Sequence, residues 1–375
     1  MKNDWQNYTM EEIMLFNPSE NIKKGTRTKK IPMEKLSPFA RKINGFEKST
    51  YISGPKFKNG DTLLAKITPC LENGKTAFVD ILEKEEVAFG SSELIVLRER
   101  VGISDKEFIY YLAKSPAFRE RAISCMEGTS GRKRVNEKTL KQQILPIPAL
   151  SIQHCIASLL STLDNKIALN NRINDNLEAM AKTIYDYWFV QKADKKWKRK
   201  TIEEIAEVMR GAMITEKQTK EGNIKVVAGG IDFSYYHSDY NREKNTITVS
   251  GSGANAGFVN YWHERIFASD CTTVRGKSDF DTFLIYQHLK SNQDNIFRSA
   301  KGSAQPHVYP SDIKQIWFYE IPLDIKNRFS PLFLRINEQI SINQKENNYL
   351  AALRDWLLPM LMNGQVSVNY HLSDY

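Results

Sequence analysis
Trp5-Gln-Asn-Tyr-Thr-Met-Glu-Glu-Ile13 returns 192 residues later as Trp197-Lys-Arg-Lys-Thr-Ile-Glu-Glu-Ile205. Self-similarity of this kind has to be settled before any element is assigned, because it decides how many units the chain contains. Four more matches follow in the same order. Gly60-Asp-Thr-Leu-Leu-Ala lies opposite Lys244-Asn-Thr-Ile-Thr-Val, and Phe89-Gly-Ser-Ser-Glu opposite Phe267-Ala-Ser-Asp-Cys. Gly128-Thr-Ser-Gly-Arg-Lys-Arg-Val135 lies opposite Gly302-Ser-Ala-Gln-Pro-His-Val308, ahead of Ile147-Pro148 and Ile321-Pro322. The offset falls from 192 to 173 by about Leu140 and Ile313, then stays close to that value through Asn170 with Asn343 and Leu177 with Leu350. Each copy therefore has a first part that tolerates deletion and a second part of fixed length.

The fixed part reads as a helix in both copies. Ile156, Leu159, Leu163, Ile167, Ile173, Leu177, Met180, Ile184 and Trp188 step by three or four. So do Phe329, Leu332, Ile336, Ile340, Leu350, Leu353, Leu357 and Leu361, each series with one gap, at Asn170 between Ile167 and Ile173 and at Asn343 between Ile340 and Leu350. Pro148 and Pro322 lie just upstream, and Pro359 with Gly364 marks the end of the second helix. Each would run roughly 55 Å, and a two-helix coiled coil is the natural way to bury such a stripe. Asn170 and Asn343 interrupt the two stripes near their middles. Helices packed antiparallel about a pseudo-two-fold axis would bring these amides together and fix the register.

The variable part reads as mixed α and β. Asp61–Ile67, Glu93–Leu97 and Asn245–Val249 are short β-rich runs, and Asp105–Arg121 and Asp281–Ser291 look like surface helices. The fold class is α+β: two similar mixed α/β domains in tandem, each followed by a long helix, the two helices forming an antiparallel coiled coil. The expected boundaries are 1–150 for the first domain, 151–190 for its helix and 191–200 for a basic linker. The second domain takes 201–323, its helix 324–364, and a tail 365–375.

The chain has 375 residues and a formal charge of +9. Mean hydropathy is −0.47, and no apolar run approaches the roughly 18 residues that span a bilayer. The start MKNDWQNYTMEE lacks a secretory layout, so the expected location is cytoplasmic. The charge is uneven. Residues 1–150 hold 26 basic and 19 acidic groups, and 191–200 hold six and one. The remainder, with 21 and 24, is slightly acidic. Concentrated Lys and Arg displace counterions from phosphate, although a solvated linker has the same composition. Cys70, Cys125, Cys155 and Cys271 are spaced for neither a zinc site nor a disulfide framework, and read as reduced and structural.

Catalytic signatures fail one by one. Gly74-Lys75-Thr76 ends like a phosphate-binding loop, but Pro69 stands where the first glycine belongs. Gly251–Gly257 is glycine-rich without dinucleotide-binding spacing, and a hairpin fits it better. The six histidines form no metal motif, and Asn17-Pro18-Ser19 lacks the second proline of an amino-methyltransferase tetrapeptide. With no complete catalytic centre in the sequence, a binding or targeting role is expected, and no metal site.

Four blocks together resemble the specificity subunit of type I restriction-modification systems. They are Gly60–Lys75, Ser250–Gly257, Lys301–Val308 with its downstream Ile-Pro, and Leu357–Gly364 with Tyr185–Phe189 in the corresponding place of the first copy. The resemblance covers essentially the whole chain. It implies a non-catalytic, DNA-binding subunit that reads a bipartite double-stranded target, one half-site per domain, with the helices as spacer. It also implies two methyltransferase subunits that use S-adenosylmethionine to modify adenine N6. Two restriction and translocase subunits that use ATP and Mg would complete the complex, leaving no cofactor in this chain.

Candidate DNA contacts in the first domain are Arg132, Lys133 and Arg134, then Lys66 and Lys75, since Arg and Lys anchor phosphates or read guanine. In the second they are Tyr236, Asn255, Ser303, Gln305 and His307, where amides suit adenine. Lys29, Lys30 and the 195–200 cluster suit phosphate. Tyr185, Trp188, Phe189, Leu358, Pro359 and Met360, at helix ends, are expected to help dock the methyltransferase. The alternative is a coiled-coil scaffold joining two protein-binding domains. A standalone enzyme ranks third.

Overall fold
The computed structural model describes residues 5–129, 131–194, 196–302 and 305–367. The chain divides into two units, Met1–Ala168 with Asn347–Tyr375, and Leu169–Glu346.

In the first unit the strands are β1 (Trp5–Thr9), β2 (Met14–Phe16), β3 (Arg27–Ile31), β4 (Glu47–Thr50), β5 (Lys56–Phe57) and β6 (Thr62–Ala65). They are followed by β7 (Thr76–Phe78), β8 (Ala88–Gly90), β9 (Leu94–Glu99), β10 (Met126–Glu127), β11 (Arg134–Val135) and β12 (Ile144–Pro148). β1 runs into a one-turn helix, Met10–Ile13, started by a capping box in which Thr9 N–H (2.6 Å) and Oγ1 (2.8 Å) both donate to Glu12. An antiparallel sheet of order β2-β9-β6-β7 follows. The residues of β6 are all buried, which is why Asp61–Ile67 reads as a continuous β-rich run rather than an alternating pattern. A second sheet has order β4-β3-β8-β5, with β3 and β8 parallel. Helix Lys106–Lys114 starts where Asp105 accepts from the amides of Glu107 and Phe108. Its Phe108 and Tyr111 join Met10, Ile95, Ile156 and Leu361 in one core. The start of one long helix and the end of the other are therefore built into this domain's interior.

The second unit repeats the design with β13 (Arg199–Thr201), β14 (Ala206–Arg210), β15 (Ile224–Val227), β16 (Phe233–His237) and β17 (Thr246–Ser250). The remaining strands are β18 (Val259–Trp262), β19 (Ile266–Ala268), β20 (Cys271–Gly276) and β21 (Trp317–Tyr319). The capping box returns as Thr201 with Glu204, and the antiparallel sheet as β14-β20-β17-β18. The second sheet returns as β16-β15-β19, with β15 and β19 parallel. Among the described residues this sheet has no strand in the place of β5, so part of the shortening falls there.

The first long helix is Leu150–Tyr185, continued by a π-helical turn over Asp186–Gln191, and the second is Leu323–Met362. They run antiparallel. Within the second unit Asn170 meets Glu346, Asn174 meets Asn343, and Phe189 packs on Phe329 and Phe333. The seam is more polar than the expected apolar stripe. Asn170, Asn174 and Asn343 are buried along it, while Ile173, Met180, Leu332 and Leu353 are exposed. Periodicity locates an apolar face, but each helix here serves both a partner helix and a domain core, and the buried arc lies between the two. Among the described residues no helix is long and apolar enough to cross a membrane.

Candidate nucleic-acid interface
In each unit the end of a central strand meets a loop from much later in the chain. In the first, Val135 N–H donates to the Lys66 carbonyl (2.9 Å), Thr68 N–H to the Lys133 carbonyl (3.0 Å), and Lys66 N–H to the Glu93 carbonyl (2.9 Å). In the second, Val308 N–H donates to the Gly251 carbonyl (3.0 Å), Gly253 N–H to the Pro306 carbonyl (3.1 Å), and Gly251 N–H to the Asp270 carbonyl (3.0 Å). An isolated bridge closes each joint, Ile67 with Arg134 and Ser252 with His307. Both loops begin on a glycine in the left-handed region, Gly128 at φ +120° and Gly302 at φ +102°. A Cβ on Gly302 would lie 2.6 Å from the Gln305 carbonyl oxygen, so only glycine allows that turn.

The backbone is thus the same in both joints, and the side chains mounted on it differ. In the first, Arg134 grips Glu93 through Nε (2.9 Å) and Nη2 (2.8 Å). Arg132 and Lys133 are exposed beside it, and Lys66 Nζ lies 3.7 Å from Glu137. A cleft of about 630 Å³ in the same domain is lined by Lys30, Glu34, Glu47, Ser49, Ser91 and Ser92. In the second joint Asp270 accepts from Ser252 Oγ, and the His307 ring stacks on Tyr309 at 6.0 Å. Gln305 and Asn255 are exposed in the loops on either side, and the Asn255 carbonyl closes a turn by accepting from Phe258 N–H. Tyr236 lies on β16, half exposed with its ring 4.9 Å from Phe233. Ser303 and Lys195 lie outside the described residues.

Several of the expected site residues have partners within the fold or are buried in it. Lys75 Nζ donates to the Met33 carbonyl (3.1 Å), which holds it against its own domain. Lys29 is paired with Glu86 at 2.8 Å, and in the linker Lys200 is paired with Glu320 at 2.7 Å. Tyr185, Phe189 and Leu358 are core residues, at most 4% exposed, so burial removes them from a docking surface. Tyr185 instead stacks on Phe189, and its hydroxyl bonds His288 at 2.9 Å. Trp188 is partly exposed under Arg328, and Pro359 and Met360 are half-buried. Asn170 and Asn343 are both buried, yet the amides pair one turn away from expectation. Asn343 donates to Asn174 (2.8 Å), and Asn170 donates to Glu346 (2.7 Å).

Glu93 and Asp270 are the residues that sequence matching missed. Aligning Phe89-Gly-Ser-Ser-Glu with Phe267-Ala-Ser-Asp-Cys puts Glu93 opposite Cys271. The backbone puts it opposite Asp270, because the first unit carries one extra residue between Ser91 and Glu93. An acid after each Phe-Gly-Ser or Phe-Ala-Ser run was the available signal.

Comparison with known proteins adds three findings. Residues 2–179 and 194–351 each match the family model described as the type I restriction modification DNA specificity domain. Among curated relatives, the type I restriction enzyme MjaIX specificity subunit of Methanocaldococcus jannaschii is 25% identical over 300 residues, 70% of this chain and 69% of that one. The EcoAI specificity subunit of Escherichia coli is 29% identical over 208 residues, 52% of this chain but only 35% of the relative. Among solved structures, the S subunit of a type I restriction-modification system from M. genitalium superposes with a TM-score of 0.53 at 18% identity. That match covers 95% of this chain and 96% of the other, and shows likeness of fold.

Proposed function
Given that the chain belongs to the type I restriction-modification DNA specificity family, and so serves DNA sequence recognition, we propose that it reads a bipartite duplex target with one half-site per domain. It acts in the cytoplasm as a non-catalytic subunit. It directs two adenine-N6 methyltransferase subunits and two ATP-dependent endonuclease subunits, which carry the S-adenosylmethionine, ATP and Mg that this chain does not use. The observation that carries this reading is the repeated joint. A conserved backbone frame presenting different side chains, Arg134 and Glu93 in one unit and His307 and Asp270 in the other, suits two readers of two different half-sites. Arg132, Lys133 and Lys66 contact phosphate or base edges in the first. Gln305, Asn255, Ser303 and Tyr236 serve the second. The buried amides Asn170, Asn174 and Asn343 set helix register, and Trp188, Pro359 and Met360 remain for methyltransferase docking.

The test exchanges residues 1–150 for those of a relative and maps the split adenine motif by methylome sequencing. One half-site should change and the other persist, and a change in both would defeat the assignment of one domain to each half. Binding to duplex DNA should weaken steeply with salt, as counterion release requires. A scaffold that does not bind DNA would show neither behaviour.

A further inference from the structure
We infer that the half-site read by the first domain contains a G·C pair whose guanine is recognised by Arg134, with Glu93 as the residue that positions the guanidinium. This rests on the reading of the chain as a DNA specificity subunit and assigns one base to one side chain. Glu93 takes the side edge of the guanidinium, the N–H of Nε and one N–H of Nη2. A guanidinium has five N–H groups in a planar fork. The three that remain include the parallel pair at the end of the fork, one on each Nη. That pair matches guanine O6 and N7 in the major groove. Because the carboxylate fixes the plane of the fork, the arginine loses less freedom on binding than a loose side chain would.

An ordinary surface ion pair is the competing explanation, and the second unit bears on it. If the pair held the joint together, a pair of the same kind should recur wherever the joint recurs. The backbone bonds do recur, all three of them, and the pair does not. Asp270 takes the place of Glu93 and bonds Ser252, while His307 takes the place of Arg134 and stacks on Tyr309. The frame is closed without the Arg134–Glu93 contact, so that contact is available for recognition. Its surroundings suit the task. Arg132 and Lys133 precede it in the loop, both exposed.

The experiment selects bound sequences from a randomised duplex library with the full chain, as wild type, Arg134→Ala, Arg134→Lys and Glu93→Gln. The wild type should give an invariant G·C in the half-site that exchange of residues 1–150 alters. Arg134→Ala and Arg134→Lys should both flatten the preference at that one position by about ten-fold or more, the worth of a bidentate contact, and leave the other half-site intact. Lysine keeps the charge and loses the fork, so its failure to rescue is the diagnostic result. Glu93→Gln should weaken the same preference in part and alter no other position. Retention of the guanine preference by Arg134→Lys would overturn the assignment. So would a uniform loss across all sequences with a shallower salt dependence, which marks a phosphate contact. A wild-type chain with no sequence preference would overturn this inference together with the DNA-reading function, whereas a preferred half-site indifferent to Arg134 would overturn the inference alone.

Discussion

Asp164 and Asn337 occupy the same place in the two long helices, 173 residues apart, and both are buried, yet the two units satisfy them by different chemistry. In the first unit Arg354 Nη1 donates to the Asp164 carboxylate (2.6 Å) and Tyr111 Oη donates to its other oxygen (2.7 Å). Arg354 also pairs with Asp355 at 2.8 Å, and Lys114 lies 3.8 Å from Asp355. In the second unit the network is neutral. His263 Nε2–H donates to the Asn337 side-chain carbonyl (2.8 Å), and the Asn337 amide donates to the Tyr261 hydroxyl (3.3 Å). The counterpart of Arg354, 173 residues back, is the buried Ala181. A buried carboxylate requires a cation, and a buried amide does not. Asp with Arg in one unit and Asn with Ala in the other are two self-consistent solutions on one frame, and mixing them breaks the logic.

The largest effect should come from mixing them. Arg354→Ala leaves Asp164 buried without its cation and should cost about 3 kcal/mol or more, read as a lower denaturant midpoint and lost exchange protection in the first unit. Adding Asp164→Asn installs the second unit's pair and should recover most of that loss. A double variant as weak as the single one would break the comparison.

Next comes Asn337→Ala, which strands the partners of a neutral network and should cost about 1–3 kcal/mol, less than removing the arginine. Denaturation under the same conditions ranks the two.

The pH responses should separate the units as well. Burial pushes His263 down to about 4 and His288, in the same unit, also to about 4. Unfolded histidine binds its proton near 6.5. The stability of the second unit is therefore complete above about pH 6.5 and is lost as pH falls toward 4. In the first unit burial, and then the charge of Arg354, push Lys114 down to about 8. There the penalty of a buried ammonium persists at neutral pH and is relieved as pH rises from about 8 toward the unfolded value near 10.4. Hydrogen exchange at pH 5 should show the second unit opening first, and His263→Gln should reduce that sensitivity. Acid opening of the first unit before the second would reverse the assignment.

The smallest effect should be the most alike in the two units. Thr9→Ala and Thr201→Ala each remove an equivalent capping box and should each cost about 1 kcal/mol. Unequal losses, seen in thermal melts, would mean that the two copies load their first turns differently.

The repeat and the long helices were legible because both depend on local periodicity and on order along the chain. The loops carrying Arg134 and His307 were legible because a glycine opens each and their residue types suit base edges. Glu93 and Asp270 were not, since a one-residue gap between short runs is invisible until backbone hydrogen bonds fix the register. Tyr185, Phe189 and Leu358 were misplaced on a contact surface because an apolar helix end reads the same whether it meets a partner or its own domain. Asn170 and Asn343 were recognised as breaks in the stripe, but which amides meet depends on the axial offset of two helices, and one turn of shift gives the same one-dimensional pattern.

By itself the sequence determined that one design is used twice, that each copy ends in a long helix, and that basic residues gather in the first copy. Composition and spacing carry those facts because they are properties of neighbours along the chain. The tertiary structure decided which strand end receives each returning loop, which acid faces Arg134 or Ser252, and which buried polar group on a helix is charged and which neutral. Those are contacts between residues far apart in sequence, and their energies depend on burial and on partners that only folding brings within reach.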